Sequence, residues 1–151
     1  MHKRIKYSLD YIAGFFDGEG SVGIYGNGQK SGHSLRVQVT QNYTLESKEL
    51  MSYLHVVYGG YLGESFNRKG NLNLHWQLSG EKTAKFLEDI LPFLHIKNTQ
   101  VAFALRWNMM KPKKERGKAG KYLPFSLDVI EENTKASDYL KYLKTCSFIK
   151  T

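Results

Sequence analysis

Two carboxylates, Asp17 and Glu19, stand at the end of an unusual segment, Tyr11-Ile12-Ala13-Gly14-Phe15-Phe16-Asp17-Gly18-Glu19-Gly20. Carboxylate oxygens are what a hard divalent cation takes as ligands. The segment carrying them is apolar on nearly every side, which predicts a short helix buried all round. Gly14 and Gly18 fall at i, i+4 on one face, beside Ala13 and Asp17. A glycine inside a helix costs about 1 kcal/mol relative to alanine, so the pair calls for a packing reason, the close approach of another backbone. Gly18-Glu19-Gly20-Ser21-Val22-Gly23 also fits the dinucleotide pattern G-x-G-x-x-G. That pattern binds pyrophosphate where it follows a strand and opens a helix. Here a helix precedes it and a strand follows, which excludes a nicotinamide or flavin site. Walker A, His-Glu-x-x-His and Gly-x-Ser-x-Gly sequences are absent too.

The elements that must position this segment follow from hydrophobic period. Ser8 as N-cap and Leu9, Ile12, Ala13 and Phe16 at i, i+3, i+4, i+7 predict a helix from 9 to about 18. From Ser21 the period becomes two. Val22 and Ile24, then Leu35, Val37 and Val39, alternate with polar residues and predict a hairpin. Residues 45–58 are helical and end at Gly59-Gly60. A second hairpin runs from Tyr61 to Phe66, turns at Asn67-Arg68-Lys69-Gly70, and returns with Leu72, Leu74, Trp76 and Leu78 facing inward. A helix at 80–91 stops at Pro92, another spans about 96–110, and one or two follow Pro124. The order predicts an α+β domain whose antiparallel sheet is covered on one face. The open face carries Asn, Gln, Ser, Arg, His and Tyr with few carboxylates, unlike the Glu, Lys and Thr of a merely solvated sheet. Amides pair with adenine edges, arginine with guanine, and a two-stranded ribbon fits the major groove.

Residues Ile12 through Gly20 resemble the motif of the LAGLIDADG homing endonucleases, with Asp17 and Glu19 at its two acidic positions. The αββαββα order, Val39-Thr40-Gln41 and Leu91-Pro92-Phe93-Leu94-His95-Ile96-Lys97 extend the resemblance over roughly residues 7 to 110. It implies the LAGLIDADG homing endonuclease fold, a saddle-shaped antiparallel sheet with helices on one face. The chain reads as a single domain over 1–151, with a core at about 7–110, a basic loop at 111–121 and C-terminal helices at 125–148. One motif copy implies a homodimer joined through Tyr11, Ala13, Gly14, Asp17 and Gly18, and a near-palindromic target.

The resemblance also implies roles. Glu19 and the carbonyl of Gly18 would hold Mg²⁺, with Mn²⁺ as a substitute and Ca²⁺ supporting binding without cleavage. Gln41 would order water, and Lys97 would stabilise charge at the phosphate. Asp17 is assigned to helix-end structure. A second basic residue common four positions after the glutamine is Leu45 here, so either Lys48 reaches in its place or the role is unfilled. Base contacts are expected from Tyr25, Asn27, Gln29, Ser34, Arg36 and Gln38 in the first hairpin, and from Ser65, Asn67, Arg68, Asn73, His75 and Gln77 in the second. Lys30, Lys69 and the basic loop (Lys111, Lys113, Lys114, Arg116, Lys118, Lys121) are placed for phosphates. The implied activity is metal-dependent hydrolysis of double-stranded DNA at a long site, leaving 3′ overhangs. The alternative is a non-catalytic binder on the same fold, either an RNA-splicing maturase with RNA as partner or a DNA-binding regulator.

Composition agrees with an anionic partner. There are 22 Lys and Arg against 14 Asp and Glu, a net charge of +8, and phosphate contacts by such residues release counterions. The single cysteine, Cys146, excludes an internal disulfide and a multi-thiolate metal site. No apolar run is long enough to span a bilayer and no secretory signal is apparent, so neither a membrane partner nor secretion is expected. The archaeal cytoplasm or an organelle interior is the expected setting.

Overall fold

The computed structural model describes residues 6–26, 32–113, 117, 120 and 124–145. Helix α1 (Leu9–Glu19) leads directly into β1 (Gly20–Gly26), and β2 (His33–Asn42) returns beside it. Helix α2 (Leu45–Tyr58), β3 (Tyr61–Phe66) and β4 (Leu72–Ser79) repeat the pattern. Helix α3 (Glu81–Ile90), a 3₁₀ turn (Leu91–Phe93), α4 (Asn98–Met110) and α5 (Leu127–Thr145) complete the described chain. After Pro124 there is one helix among the described residues.

The four strands form one antiparallel sheet in the order β1-β2-β4-β3. The second strands of the two hairpins therefore pair at its centre, a long-range pairing that the alternation pattern does not foretell. Alternation does determine the faces. Val22, Ile24, Leu35, Val37, Val39, Leu74, Trp76 and Leu78 are buried under the helices. The helices answer with Ile12 and Phe16 from α1, Met51 and Leu54 from α2, Phe86, Leu87 and Ile90 from α3, Val101 and Ala104 from α4, and Leu140 from α5. Phe86 is the hub. Its ring meets Phe16, Tyr58 and Trp76 edge-on, with centroids 5.7, 5.0 and 5.1 Å away, the geometry favoured by aromatic quadrupoles.

Local signals set the element ends. Thr44 and Ser47 form a reciprocal capping box at the start of α2. Gly59 and Gly60 both take positive φ at its end, and a Cβ on Gly60 would run into the Gln77 carbonyl. Only glycine suits that turn. The Gly59 carbonyl also accepts a hydrogen bond from Trp76 Nε1 at 3.0 Å, tying the turn to the core.

The expectation that α1 is buried all round does not hold in the single chain. Ile12, Ala13, Phe16 and Asp17 face the core, whereas Tyr11, Gly14 and Gly18 are exposed. Replacing Phe86 with alanine is expected to cost about 3–5 kcal/mol, because three rings lose their common partner. Urea unfolding of Phe86→Ala against the parent protein measures it.

Candidate active site and nucleic-acid face

The end of α1 is held by a reciprocal pair. The Asp17 carboxylate accepts hydrogen bonds from the backbone N–H groups of His95 (2.8 Å), Ile96 (3.2 Å) and Lys97 (2.9 Å). These residues lead into α4, whose first N–H groups have no partner within the helix. In return, Lys97 Nζ donates to the carbonyls of Phe16 (3.2 Å) and Asp17 (2.5 Å), which belong to the last turn of α1. Burial pushes the Asp17 carboxyl up, but the three N–H donors and the Lys97 charge outweigh it and hold the group below the ordinary value. Burial likewise pushes the Lys97 ammonium down, against the opposing pull of Asp17 and Glu19.

The Glu19 charge is thus felt at Lys97. Glu19 itself, with Gly18, is exposed at the tip of α1. Gln41 stands at the same end of the sheet: Val39 pairs with Gly20, the first residue of β1, and Gln41 lies two residues further along β2. A second cation approaches from α5. Trp107 Nε1 donates to Asn133 Oδ1 at 3.2 Å and the rings of Phe103 and Tyr139 lie 4.8 Å apart, so α4 and α5 run antiparallel. That register brings Lys144 toward Lys97. Although Lys144 is exposed as a residue, desolvation and then the charges of Lys141 and Lys97 push its ammonium down.

Close to Leu45, Lys48 is engaged in an exposed ion pair. Its ammonium pairs with Glu64 at 3.2 Å and lies 5.3 Å from the centre of the Tyr43 ring, while Leu45 is 78% exposed.

The other component is the open sheet face. Tyr25, Ser34, Arg36 and Gln38 share it with Asn73, His75, Gln77 and Ser65, since each pairs across the sheet with residues of the same parity. One row reads Ser21, Gln38, Gln77, Tyr61; the next reads Thr40, His75, Gly63. Thr40, Asn42, Ser21 and Tyr61 belong to this face as well, and the same alternation that selected their neighbours would have found them. Glu64, the one acid in the four strands, has the opposite parity and pairs with Leu74. At the β3–β4 turn, Asn67 Oδ1 accepts from the N–H groups of Lys69 (2.9 Å) and Asn71 (3.0 Å), so that oxygen shapes the turn. Arg68 and Lys69 are exposed beside it. Asn27, Gln29 and Lys30 lie outside the described residues, as do Lys114, Arg116, Lys118 and Lys121 of the basic loop.

The expected subunit interface needs one correction. Ala13 is 0% exposed and Asp17 8%, both turned toward their own subunit and Asp17 committed to residues 95–97. Neither has surface to offer a partner. Tyr11, Gly14 and Gly18 do: Tyr11 is 56% exposed, and a Cβ on either glycine would meet nothing within 4 Å. Tyr7 stacks on Tyr11 at 5.5 Å and meets Tyr53 at 5.2 Å along the same side.

A family model described as LAGLIDADG endonuclease matches residues 12–112. The chain belongs to the LAGLIDADG endonuclease family. Similar solved structures share its α+β architecture at low identity. The homing endonuclease I-CvuI, in complex with the I-CreI target in the presence of Mg, superposes with a TM-score of 0.63 at 17% identity, covering 95% of this chain and 85% of that one. The homing endonuclease I-TnaI gives 0.57 at 16% identity over 93% and 98% of the two chains. I-GzeII, in complex with its DNA target, gives 0.58 at 13% identity over 90% of this chain and 44% of that chain. A search of curated protein sequences finds no match.

The Asp17 carboxyl sits below the 3.8 of the free side chain. Its stabilisation is therefore full above that value and lost as the pH falls through the lower folded-state value. Asp17→Asn is expected to cost about 2 kcal/mol of stability at neutral pH. The difference from the parent protein is expected to shrink as the pH falls below the free-side-chain value and the parent carboxyl protonates. Urea unfolding of both proteins over a falling pH series checks it.

Proposed function

We propose that two copies of this chain form a sequence-specific, metal-dependent endonuclease. It hydrolyses one phosphodiester in each strand of double-stranded DNA, at a near-palindromic site, and leaves 3′ overhangs. The observation carrying this reading is Glu19: an exposed carboxylate, within the electrostatic reach of Lys97, at the edge of a sheet face free of acids. A carboxylate aimed at DNA phosphates is repulsive unless a cation lies between them.

The donor set fits a hard cation. Glu19 and the Gly18 carbonyl offer oxygen only, the ligand type of Mg²⁺, with Mn²⁺ as its substitute and Ca²⁺ as a cation that supports binding without cleavage. Among the described residues no group of three His, Cys, Asp or Glu side chains could hold a metal, so one subunit does not build a closed site. Glu19 and Gly18 from each of two copies, completed by phosphate oxygens, make an open one. Bound there, the cation would supply a hydroxide nucleophile at neutral pH and stabilise charge on the leaving oxygen.

The chain's own residues do the rest. The Gln41 amide, at the end of β2, accepts from the Asn42 N–H through Oε1 at 3.3 Å, and its NH₂ donors are left to orient water. Lys97 has three ammonium protons and spends two on the α1 carbonyls, which leaves one for a phosphate oxygen. Tyr11, Gly14 and Gly18 supply the surface on which a second α1 packs closely. Nothing in the described chain fills the space over either glycine, so packing within one subunit does not require them. The neighbours named above that were solved with DNA illustrate the same use of the fold.

The test is cleavage of a randomised, palindrome-biased duplex library with Mg²⁺, Ca²⁺ or EDTA, by the parent protein and Glu19→Gln. The expected outcome is cutting of a defined subset with Mg²⁺ alone, with Glu19→Gln binding the same subset and leaving it intact. Binding should fall steeply with salt. Selective binding without cutting under any metal would overturn the enzymatic reading in favour of a DNA-binding regulator. Selective capture of RNA instead would favour a maturase.

A further inference from the structure

The open sheet face carries two basic side chains on its central strands, Arg36 on β2 and His75 on β4, and each is already fixed. The Arg36 guanidinium lies 4.7 Å from the centre of the Tyr25 ring. That ring folds back over Gly23, the cross-strand partner of Arg36, where a Cβ would stand 2.7 Å from Tyr25 Cζ. His75 is held at both nitrogens: Nδ1 is hydrogen-bonded to Thr40 Oγ1 at 3.0 Å, and Nε2 to Ser65 Oγ. Its cross-strand partner on β3 is Gly63, and the Tyr61 ring folds over that glycine, 2.6 Å at Cζ from where a Cβ would be. The two hairpins thus repeat one device, in which a bare edge-strand glycine makes room for a tyrosine ring beside a basic residue of the adjacent central strand.

We propose that Arg36 and the Thr40–His75–Ser65 cluster are the two principal base-specifying heads in each half-site, and that Gly23 and Gly63 are positioning residues for them. The proposal rests on the DNA-binding reading above and deepens it. The Arg36 Nε is buried without a hydrogen-bond partner, so the guanidinium held against the ring would offer its two terminal nitrogens to guanine O6 and N7. The imidazole holds one hydroxyl at each ring nitrogen, and each hydroxyl oxygen keeps hydrogen-bonding capacity to turn toward DNA. Fixing these groups in the free protein removes an ordering cost that mobile side chains would bear on binding.

The spacing follows from the register. His75 pairs with Thr40, four residues from Arg36 along β2, which is about 14 Å at roughly 3.4 Å per residue. Base pairs rise about 3.4 Å along the duplex, so the two heads address positions about four base pairs apart.

The experiment is selection of bound duplexes from a randomised library with Ca²⁺ for the parent protein and for Arg36→Ala, Tyr25→Ala, Gly23→Ala, His75→Ala, Thr40→Val, Ser65→Ala and Gly63→Ala. Thermal melting of each variant establishes that it is folded. Tyr25→Ala and Thr40→Val introduce no clash and keep the test open should a glycine variant fail to fold. Arg36→Ala, Tyr25→Ala and Gly23→Ala are expected to blur one shared position, a guanine, by about ten-fold in preference. The His75, Thr40, Ser65 and Gly63 variants should blur a second position about four base pairs away. Uniform weakening at all positions, or scattered positions within a group, would overturn the two-headed reading while leaving DNA recognition intact. Failure of the parent protein to select any duplex would overturn DNA recognition itself, and this inference with it.

Discussion

A helix that ends at a site of chemistry has a problem at its last turn: final carbonyls lack partners within the helix, so the placement of its end depends on what meets them as well as on its packed face. Here that need is met together with the ordering of the segment that leads into α4. Asp17 closes the N–H groups of residues 95–97, and Lys97 closes the carbonyls of residues 16 and 17. Each charged group satisfies the backbone of the other's element. Asp17 is buried, so its loss would leave three N–H groups without their acceptor, and the loss of Lys97 would take the side-chain donor from the last turn of α1. Glu19 lies two residues beyond Asp17, so its place relative to the sheet depends on this exchange.

The parts of this arrangement differ in how legible they are in the sequence. The second hairpin is readable residue by residue, because strict alternation puts Leu74, Trp76 and Leu78 on one side and Asn73, His75 and Gln77 on the other. Helix α2 reads equally well, from its apolar period to its glycine stop. The pairing of β2 with β4 is not legible, since it joins residues some forty positions apart (Arg36 opposite Ser79) and no local pattern encodes it. The inward turn of Ala13 follows from its place in the stripe with Ile12 and Phe16, but its absence from the face of Gly14 and Gly18 is harder to read. Ala13 and Gly14 are both small, and one residue of helix rotation separates the core-facing side from the open side. The donors that Asp17 meets come from nearly eighty residues away, so its structural role could be inferred from its place at a helix end but its partners could not.

The polarity of the sheet is explained by one constraint acting twice. A surface that receives phosphates loses affinity for every carboxylate on it, and the strands carry only Glu64, on the helix-side parity. Held there, Glu64 draws Lys48 to itself. The strand parity that keeps this acid off the open face thus also gives Lys48 a partner beside Tyr43, just past the end of β2.

Positive charge around Lys97 consequently depends on the helices behind the sheet. Lys97 enters from the start of α4, and Lys144 comes to it from the last turn of α5, through the antiparallel contact fixed by Trp107 with Asn133 and Phe103 with Tyr139. The two ammonium groups repel, and burial disfavours the charged form of each. The Asp17 and Glu19 carboxylates offset this at Lys97. A phosphate oxygen brought to the Lys97 and Lys144 ammonium groups would relieve that repulsion, whereas beside the Glu19 carboxylate it still needs an intervening cation. In this chain the packing of the C-terminal helix is thereby coupled to the charge balance at the acidic end of α1.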